Sequence, residues 1–462
     1  MKPRAGLLPL YLKLYDDALP EMRAVLEPLL DKIQAGLQRA GLDVARAPIC
    51  RVAGEFAAAV ADLEAAGADA LVCLHLAYSP SLESVGVLAT TPLPLIMLDT
   101  TLDWSFGQDV DPQRLLYNHG IHGVQDLACM LRRRGRSYEV VAGHWEKSDV
   151  LARTAAAVRA ARAARRLRGA SVLRIGPVFA GMGDFAVEPG VLTRQLGMTV
   201  TQMQAADLAG PARAISDQQI AHEIERDRAA FVCEAPADVH AYSTRVGLAM
   251  RAVLDQGRYD AFSMNFAGFD SSDEPVCTVP FLEISKAMSR GVGYAGEGDV
   301  LTAAMVGALL SAWPQTTFTE IFCPDWQGGA IFLSHMGEIN PAVAAGKALL
   351  CEKDFPFTPA RNPAMLAAAP APGEATFVNL TPGPDDTLRL IVAPVEVLAD
   401  GTHPDMRKTV RGWIEPRRPL ERFLEDFSRA GGTHHSALIL GDHTHAIEMM
   451  ANFAGLECCV IQ

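Results

Sequence analysis

The chain of 462 residues has no C-x-x-C pair, no apolar run of the ~18 residues a membrane span needs, no surplus of positive charge, and no internal repeat at a period of roughly 20–50 residues. Each absence excludes something. Without short-spaced cysteines there is no zinc-finger-like structural site. The nine cysteines are odd in number and scattered, with one adjacent pair at Cys458 and Cys459, which is the pattern of buried thiols in a reducing compartment and not of a disulfide framework. With 41 basic against 54 acidic side chains and a net charge of -13, neither nucleic acid nor an anionic membrane face fits as the main partner. The N-terminal MKPRAGLLPLYLKLYDD carries Lys13 inside its apolar stretch and meets Asp16 and Asp17 with no small-residue cleavage site, so it reads as a strand and not as a leader. The expectation is a soluble, cytoplasmic protein.

What is present is ordinary globular composition, 49% hydrophobic and 21% charged, in a characteristic order. In the first half, β-type runs (7–15, 70–76, 94–98, 138–142 and 171–175) alternate with helical stretches such as 20–40 and 54–66, where apolar residues recur three and four apart. Such alternation implies parallel sheets with helices on both faces. The stretch 148–168 reads as a long helix ending at Gly169; its arginines, Arg153 to Arg168, are taken as a solvated face in so acidic a chain. After Trp313 the texture becomes β-rich (315–323, 329–335, 375–380, 387–398 and 408–414), with 355–373 as a surface loop. The expected fold is α/β: two doubly wound parallel-sheet domains, 1–169 and 170–313, followed by a C-terminal antiparallel sheet or barrel, 314–462.

Residues 291–296, GVGYAG, spell G-x-G-x-x-G, but the preceding stretch 281–290 is helical in pattern where a dinucleotide site needs a strand, so no nicotinamide or other nucleotide cofactor is expected. The next residues are more informative. Glu297 stands between Gly296 and Gly298, and Asp299 is a good N-cap for the helix VLTAAMVGALLSAW. Glu320 alternates with Phe318 and Phe322 on one strand face, where burial would demand a partner, a proton or a metal. His335 ends the strand AIFLSH, and His434 and His435 follow a Gly-Gly-Thr turn. Each residue alone has a plain structural reading. Two glutamates and two histidines at strand ends and glycine turns together suit a divalent ion such as Mn2+, with Co2+ or Mg2+ as substitutes. His443 and His445 sit beside Asp442 at a helix start, where a capping turn is the simpler reading.

At these residues the chain resembles the L-arabinose isomerase family, within the arabinose/fucose isomerase group. YAGEGDVLTAA (294–304), FTEIF (318–322), LSHMGEINP (333–341) and GGTHH (431–435) carry the resemblance, with weaker matches at HLAYSP (75–80), NHGIHG (118–123), AGHWEKSDV (142–150), GMGDFAV (181–187) and GWIEP (412–416). The resemblance implies a metal held by Glu297, Glu320, His335 and His435, the two glutamates acting also as acid and base. It further implies sugar contacts from His122, Met182, Phe266 and Tyr78, the last where the family often has Phe, and homo-oligomers with active sites between subunits. Two segments depart from the family: LPLYLKLYDDALP, where a sugar-contacting segment is expected, and the shortened CPDWQGG between Glu320 and His335. The implied activity is aldose–ketose isomerisation through an enediol. Epimerisation or a lyase step on a sugar derivative, or sugar binding without turnover, are the alternatives.

Overall fold

A computed structural model describes residues 2–401 and 403–462. It divides the chain into two compact units, Met1–Arg165 and Arg166–Gln462. In the first unit β1 (Arg4–Leu10), β2 (Asp43–Arg46), β3 (Ala70–His75), β4 (Leu95–Asp99) and β5 (Glu139–Ala142) form one sheet in the order β2-β1-β3-β4-β5, parallel throughout. The helices α1 (Lys13–Ala18), α2 (Glu21–Arg39), α3 (Ala53–Ala65), α4 (Ser81–Leu88) and α5 (Gly120–Arg133) make the crossovers, and α6 (Val150–Leu167) follows the last strand, β5. Every residue of β3 is buried, as expected of a parallel strand covered on both faces. Leu71, Cys73, Leu95 and Met97 meet Phe56, Val60, Leu127 and Leu131 from the helices in one core.

The second unit begins with another parallel sheet. Here β6 (Ser171–Ile175) and β7 (Thr199–Met203) precede the two-residue β8 (Val232–Cys233), then β9 (Ala261–Met264) and β10 (Gly293–Gly296), with the order β10-β9-β6-β7. Its helices are α7 (Pro189–Leu196), α8 (Ala209–Ala214), α9 (Asp217–Ala230), α10 (Ala237–Gly257), α11 (Phe281–Ser289) and α12 (Val300–Ala312). There follow β11 (Thr316–Asp325), β12 (Ala330–Ser334), β13 (Leu349–Glu352), β14 (Ala364–Ala367), β15 (Gly373–Pro382), β16 (Leu388–Val397), β17 (Gly412–Pro416), α13 (Leu420–Arg429), β18 (His435–Leu440), α14 (Thr444–Ala454) and β19 (Glu457–Val460). Strands β15-β18-β11-β12-β17-β16 close through a β15–β16 pairing into a six-stranded antiparallel barrel, with β19 added parallel to β16. Phe423 and Phe427 of α13 pack with Ile331, Phe377, Ile391 and Leu438 in its core. The small sheet β14-β13-β8 draws β8 from the earlier part of the unit.

The helix α12 explains how the site is positioned. It lies against β9 and β10 on one side and β11 and β18 on the other, and all its residues but Ser311 are buried. A helix apolar on every side is one enclosed on every side. Its N-terminus therefore delivers the residues just before it to the seam between parallel sheet and barrel.

The α/β-plus-barrel expectation matches this architecture; several local readings do not. The strand expected over 7–15 ends at Leu10, and Lys13 starts a short helix in which it pairs with Asp17. Residues 355–373 are not a plain surface loop: Phe355 is buried, and 364–367 form the wholly buried β14. The arginines of α6 do more than face solvent, since Arg159 donates to the Ala40 carbonyl and Arg165 to that of Ala68. GVGYAG runs from the end of α11 into β10, the reverse of a phosphate-binding strand–turn–helix. No described helix is long and apolar enough to cross a membrane, and all nine cysteines are free thiols.

Candidate metal centre

Glu297 follows the last residue of β10 with φ +55°, the left-handed region that side chains other than glycine rarely enter. Such strain persists where the surroundings over-determine it, often at functional sites. Both neighbouring glycines are required. A Cβ on Gly296 would lie 2.7 Å from Cε1 of His335, and one on Gly298, at φ +89°, would lie 2.8 Å from the Val178 backbone. The Glu297 carbonyl accepts from Phe179 N at 2.9 Å, and the residue is 4% exposed.

His335 comes from the end of β12 and His435 from the start of β18, and both rings turn toward this carboxylate. Nε2 of His435 lies 2.9 Å from Glu297 Oε2 and Nε2 of His335 lies 3.5 Å from the same oxygen. Each ring is held from behind by another carboxylate: His435 Nδ1 bonds Asp299 Oδ2 at 3.0 Å, and His335 Nδ1 bonds Glu338 Oε2 at 2.8 Å. Phe318 meets both imidazoles edge-on, and Phe185 stacks on His435 with centroids 4.9 Å apart. Glu320 stands opposite His435 on β18 and opposite Ser334 on β12 in the barrel register. Its half-buried carboxylate has no hydrogen-bonding partner among the described residues. The expected face is only half present: Phe318 is buried, but a bulge between Ile321 and Cys323 turns Phe322 out to 51% exposure.

Burial opposes the charge on Glu297, yet the two imidazoles hold it well below the usual carboxylate range. Burial likewise opposes protonation of His435, but Asp299 and Glu297 push it up to about 9; His335 is raised well above its ordinary value against the same burial, by Glu338 and Glu297. Burial raises Glu320, the nearby histidines only partly offsetting it. Four carboxylates, Glu297, Glu320, Asp299 and Glu338, thus surround two imidazoles. An excess of buried or half-buried acid of this kind suits a cation.

The residues fit a divalent metal on one further observation. Nε2 of His435 is buried and close to Glu297 yet has no hydrogen bond of acceptable alignment, an orphan that a metal would satisfy. His434, beside the residue singled out in the sequence, also converges. Donor atoms of Glu297, His434 and His435 lie within 4.8 Å of one another, and His434 Nδ1 bonds Asp184 Oδ2 at 2.6 Å. Asp184 and Phe185, on the segment between β6 and α7, lie in GMGDFAV, and Glu338 lies in LSHMGEINP three residues after His335, but the sequence assigns none of them a role; Phe179, on the same segment as Asp184, lies outside every motif.

Met182 lies half-buried on that same segment, its amide bonded to the Phe179 carbonyl at 3.3 Å. Phe266 packs against Phe179 and Phe355, each with centroids 5.6 Å away. Tyr78 and His122 belong to the first unit and meet there around His119: Tyr78 stacks on it, His122 crosses it edge-on, and Tyr15 bonds its Nε2. A cavity of about 860 Å³ between α9 and α10, lined by Arg213, Arg245 and Arg361, includes none of these residues. The pair Asp442 and Thr444 forms the capping turn expected at the start of α14.

Two family descriptions match the second unit, "L-arabinose isomerase central domain" over residues 182–312 and "L-arabinose isomerase C-terminal domain" over 315–457. Together they span well over half of the chain. The L-arabinose isomerase of Anoxybacillus flavithermus is 27% identical over 400 residues, 83% of this chain and 78% of its own length. That of Shouchella clausii is 26% identical over 470 residues, 99% of this chain and 93% of its own. The protein is thereby an enzyme of the aldose–ketose isomerase class. It belongs to the L-arabinose isomerase family. Among solved structures, a solute-binding protein of an ABC transporter from Agrobacterium vitis aligns with a TM-score of 0.16 and 13% identity over 67% of this chain and 89% of its own.

Proposed function

We propose that the protein isomerises a pentose or hexose, with Glu297, Glu320, His335 and His435 holding a divalent cation, Mn2+ first and Co2+ or Mg2+ as substitutes. The observation that supports this most is the approach of His335 and His435 to one oxygen of a strained, buried Glu297. Aldose–ketose interconversion takes a proton from C2 and returns it at C1, through an enediol whose oxygen carries developing negative charge. When bound, the cation supplies Lewis-acid stabilisation of that charge. The chain's own groups divide the remaining work by environment. Glu320, pushed up by burial, is the stronger base of the two and the better carrier of the carbon-bound proton. Glu297, whose Oε2 faces the Nε2 atoms of both imidazoles, serves the oxygen side and the cation. Phe185 and Phe318 shield the imidazoles from water.

Tyr78, His122, Met182 and Phe266 are proposed to contact the sugar, in a cytoplasmic homo-oligomer whose active sites lie between subunits. Neither nucleic acid nor membrane enters as a partner. The departures at LPLYLKLYDDALP and CPDWQGG leave the identity of the sugar to experiment. Incubating the Mn2+-loaded protein with a panel of aldoses in deuterated water is expected to yield ketose carrying deuterium at C1, and deuterium at C2 of the aldose re-formed from it. Exchange at C2 without ketose would instead make it an epimerase, and inertness across the panel a sugar-binding protein. For the assembly, mixing inactive Glu297→Gln protein with inactive His122→Ala protein restores part of the activity if two chains share a site; no recovery after exchange of subunits overturns that point.

A further inference from the structure

The two carboxylates behind the imidazoles are each tied down a second time. Asp299 Oδ1 caps α12 by accepting from Thr302 N at 2.9 Å, which leaves Oδ2 for His435 Nδ1. Glu338 Oε1 accepts from Tyr294 OH at 2.9 Å, and its Oε2 accepts from Gly337 N at 2.7 Å besides His335 Nδ1. All of these residues are buried, Asp299 and Glu338 at 0% and 1% exposure. A neutral imidazole carries one N–H, and the partner of one ring nitrogen decides which nitrogen offers its lone pair. Turning either ring over would take Nδ1 off its carboxylate oxygen and break a buried hydrogen bond, so the orientation is locked. With Nδ1 engaged in both rings, Nε2 is the atom left to face Glu297, and in both rings it does.

We infer that Asp299 and Glu338 are positioning residues that present the Nε2 atoms of His435 and His335 to a divalent cation, with Tyr294 steadying Glu338. This rests on the metal site proposed above. It differs from a merely structural role, in which Asp299 only caps a helix and Glu338 only fills a polar hole.

Asparagine separates the two roles at position 299. It keeps the acceptor oxygen that caps Thr302 N, but offers an amide N–H where His435 Nδ1 needs an acceptor, and so favours the tautomer with its proton on Nε2. Calorimetric titration of the metal-stripped full chain with Mn2+ is expected to show affinity about 10- to 100-fold weaker for Asp299→Asn and for Glu338→Gln. The visible absorption of bound Co2+ should change in both, and thermal unfolding of the metal-free Asp299→Asn protein should stay close to that of the parent. Asp299→Glu, which restores an acceptor, should recover part of the affinity, and Tyr294→Phe should weaken it less than either. Asp184→Asn, at the half-exposed partner of His434, is expected to stay within about twofold. Mn2+ affinity within about twofold of the parent in both Asp299→Asn and Glu338→Gln, each folded, overturns the inference while leaving the metal site standing. Failure of the parent itself to bind Mn2+, Co2+ or Mg2+ overturns the metal reading first. Should Asp299→Asn not fold, Glu338→Gln and Tyr294→Phe decide by the same titration.

Discussion

The first unit buries His75 as the last residue of β3, and the second buries His335 and His435 at the ends of barrel strands. Their exposures are 3%, 7% and 0%, and two of them rest on glycine: a Cβ on Gly123 would lie 2.2 Å from His75 Cδ2, as one on Gly296 would lie 2.7 Å from His335 Cε1. Their electrostatics are opposite. Both ring nitrogens of His75 lack a hydrogen-bonding partner, and burial pushes it down to about 3, the Asp126 carboxylate offsetting only part. His335 and His435, each bonded to a carboxylate behind and facing Glu297 in front, are pushed up. Equal burial gives opposite signs because the partners, not the depth, decide which protonation state is stabilised. One setting makes a neutral packing element; the other makes a place where a proton or a cation belongs.

The comparison breaks most visibly at the glutamates. Glu297→Gln or Glu320→Gln should lower turnover by ~10²–10⁴ with the fold intact by circular dichroism; near-normal turnover in either variant removes the mechanism. Next comes the acid response of His75. The unfolded chain takes up a proton here below pH 6.5, whereas the folded chain does so only near pH 3. Stability is therefore lost as pH falls through that window, by about 3 kcal/mol at pH 4 relative to pH 7. Urea unfolding of the full chain at both values should show this loss in the parent and its reduction in His75→Leu. An equal loss in the two proteins would mean that His75 is not the sensor.

The glycines sharpen the contrast further. Gly123→Ala forces a methyl into the His75 ring and should cost ~1–3 kcal/mol of stability, seen as a lower Tm at neutral pH. Gly296→Ala meets His335 in the same way, but its main cost should fall on Mn2+ affinity, because the displaced ring is a proposed ligand. A Gly296→Ala protein with parental affinity would show that His335 has slack. The smallest effect is expected where burial is absent. Lys13 and Asp17 pair at 2.7 Å with both side chains more than half exposed, and Lys13→Ala should change stability by less than about 1 kcal/mol; a larger change in the unfolding midpoint would require another role for Lys13.

Much of this was legible in the residues before any fold was known. Alternating apolar runs announced parallel sheets, because each strand must be covered by the helices that connect it. Gly–Glu–Gly before a capped helix marked Glu297, since only glycine neighbours allow the close approaches found on both sides of it. Other readings failed for local reasons. The apolar pattern of 7–15 continues past Leu10, but pairing with β2 ends at Leu7 and pairing with β3 at Leu10, and a short helix starts at Lys13. Phe322 left the face of Phe318 because a bulge adds one residue to the alternation.

Residue order thus settled the elements, the glycine-flanked carboxylate and the helix cap, because propensity, periodicity and capping act over a few neighbouring positions. Pairings across distance were decided by the tertiary structure. Asp299 and His435 are 136 positions apart, and nothing in GEGD or in GGTHH says that the helix cap of one will hold the imidazole of the other. Barrel closure brings β18 against β11, and α12, enclosed between sheet and barrel, brings its N-terminus to the same point. Whether a buried histidine stands alone, as His75 does, or among carboxylates depends on which elements pack around it, and that is a property of the closed fold.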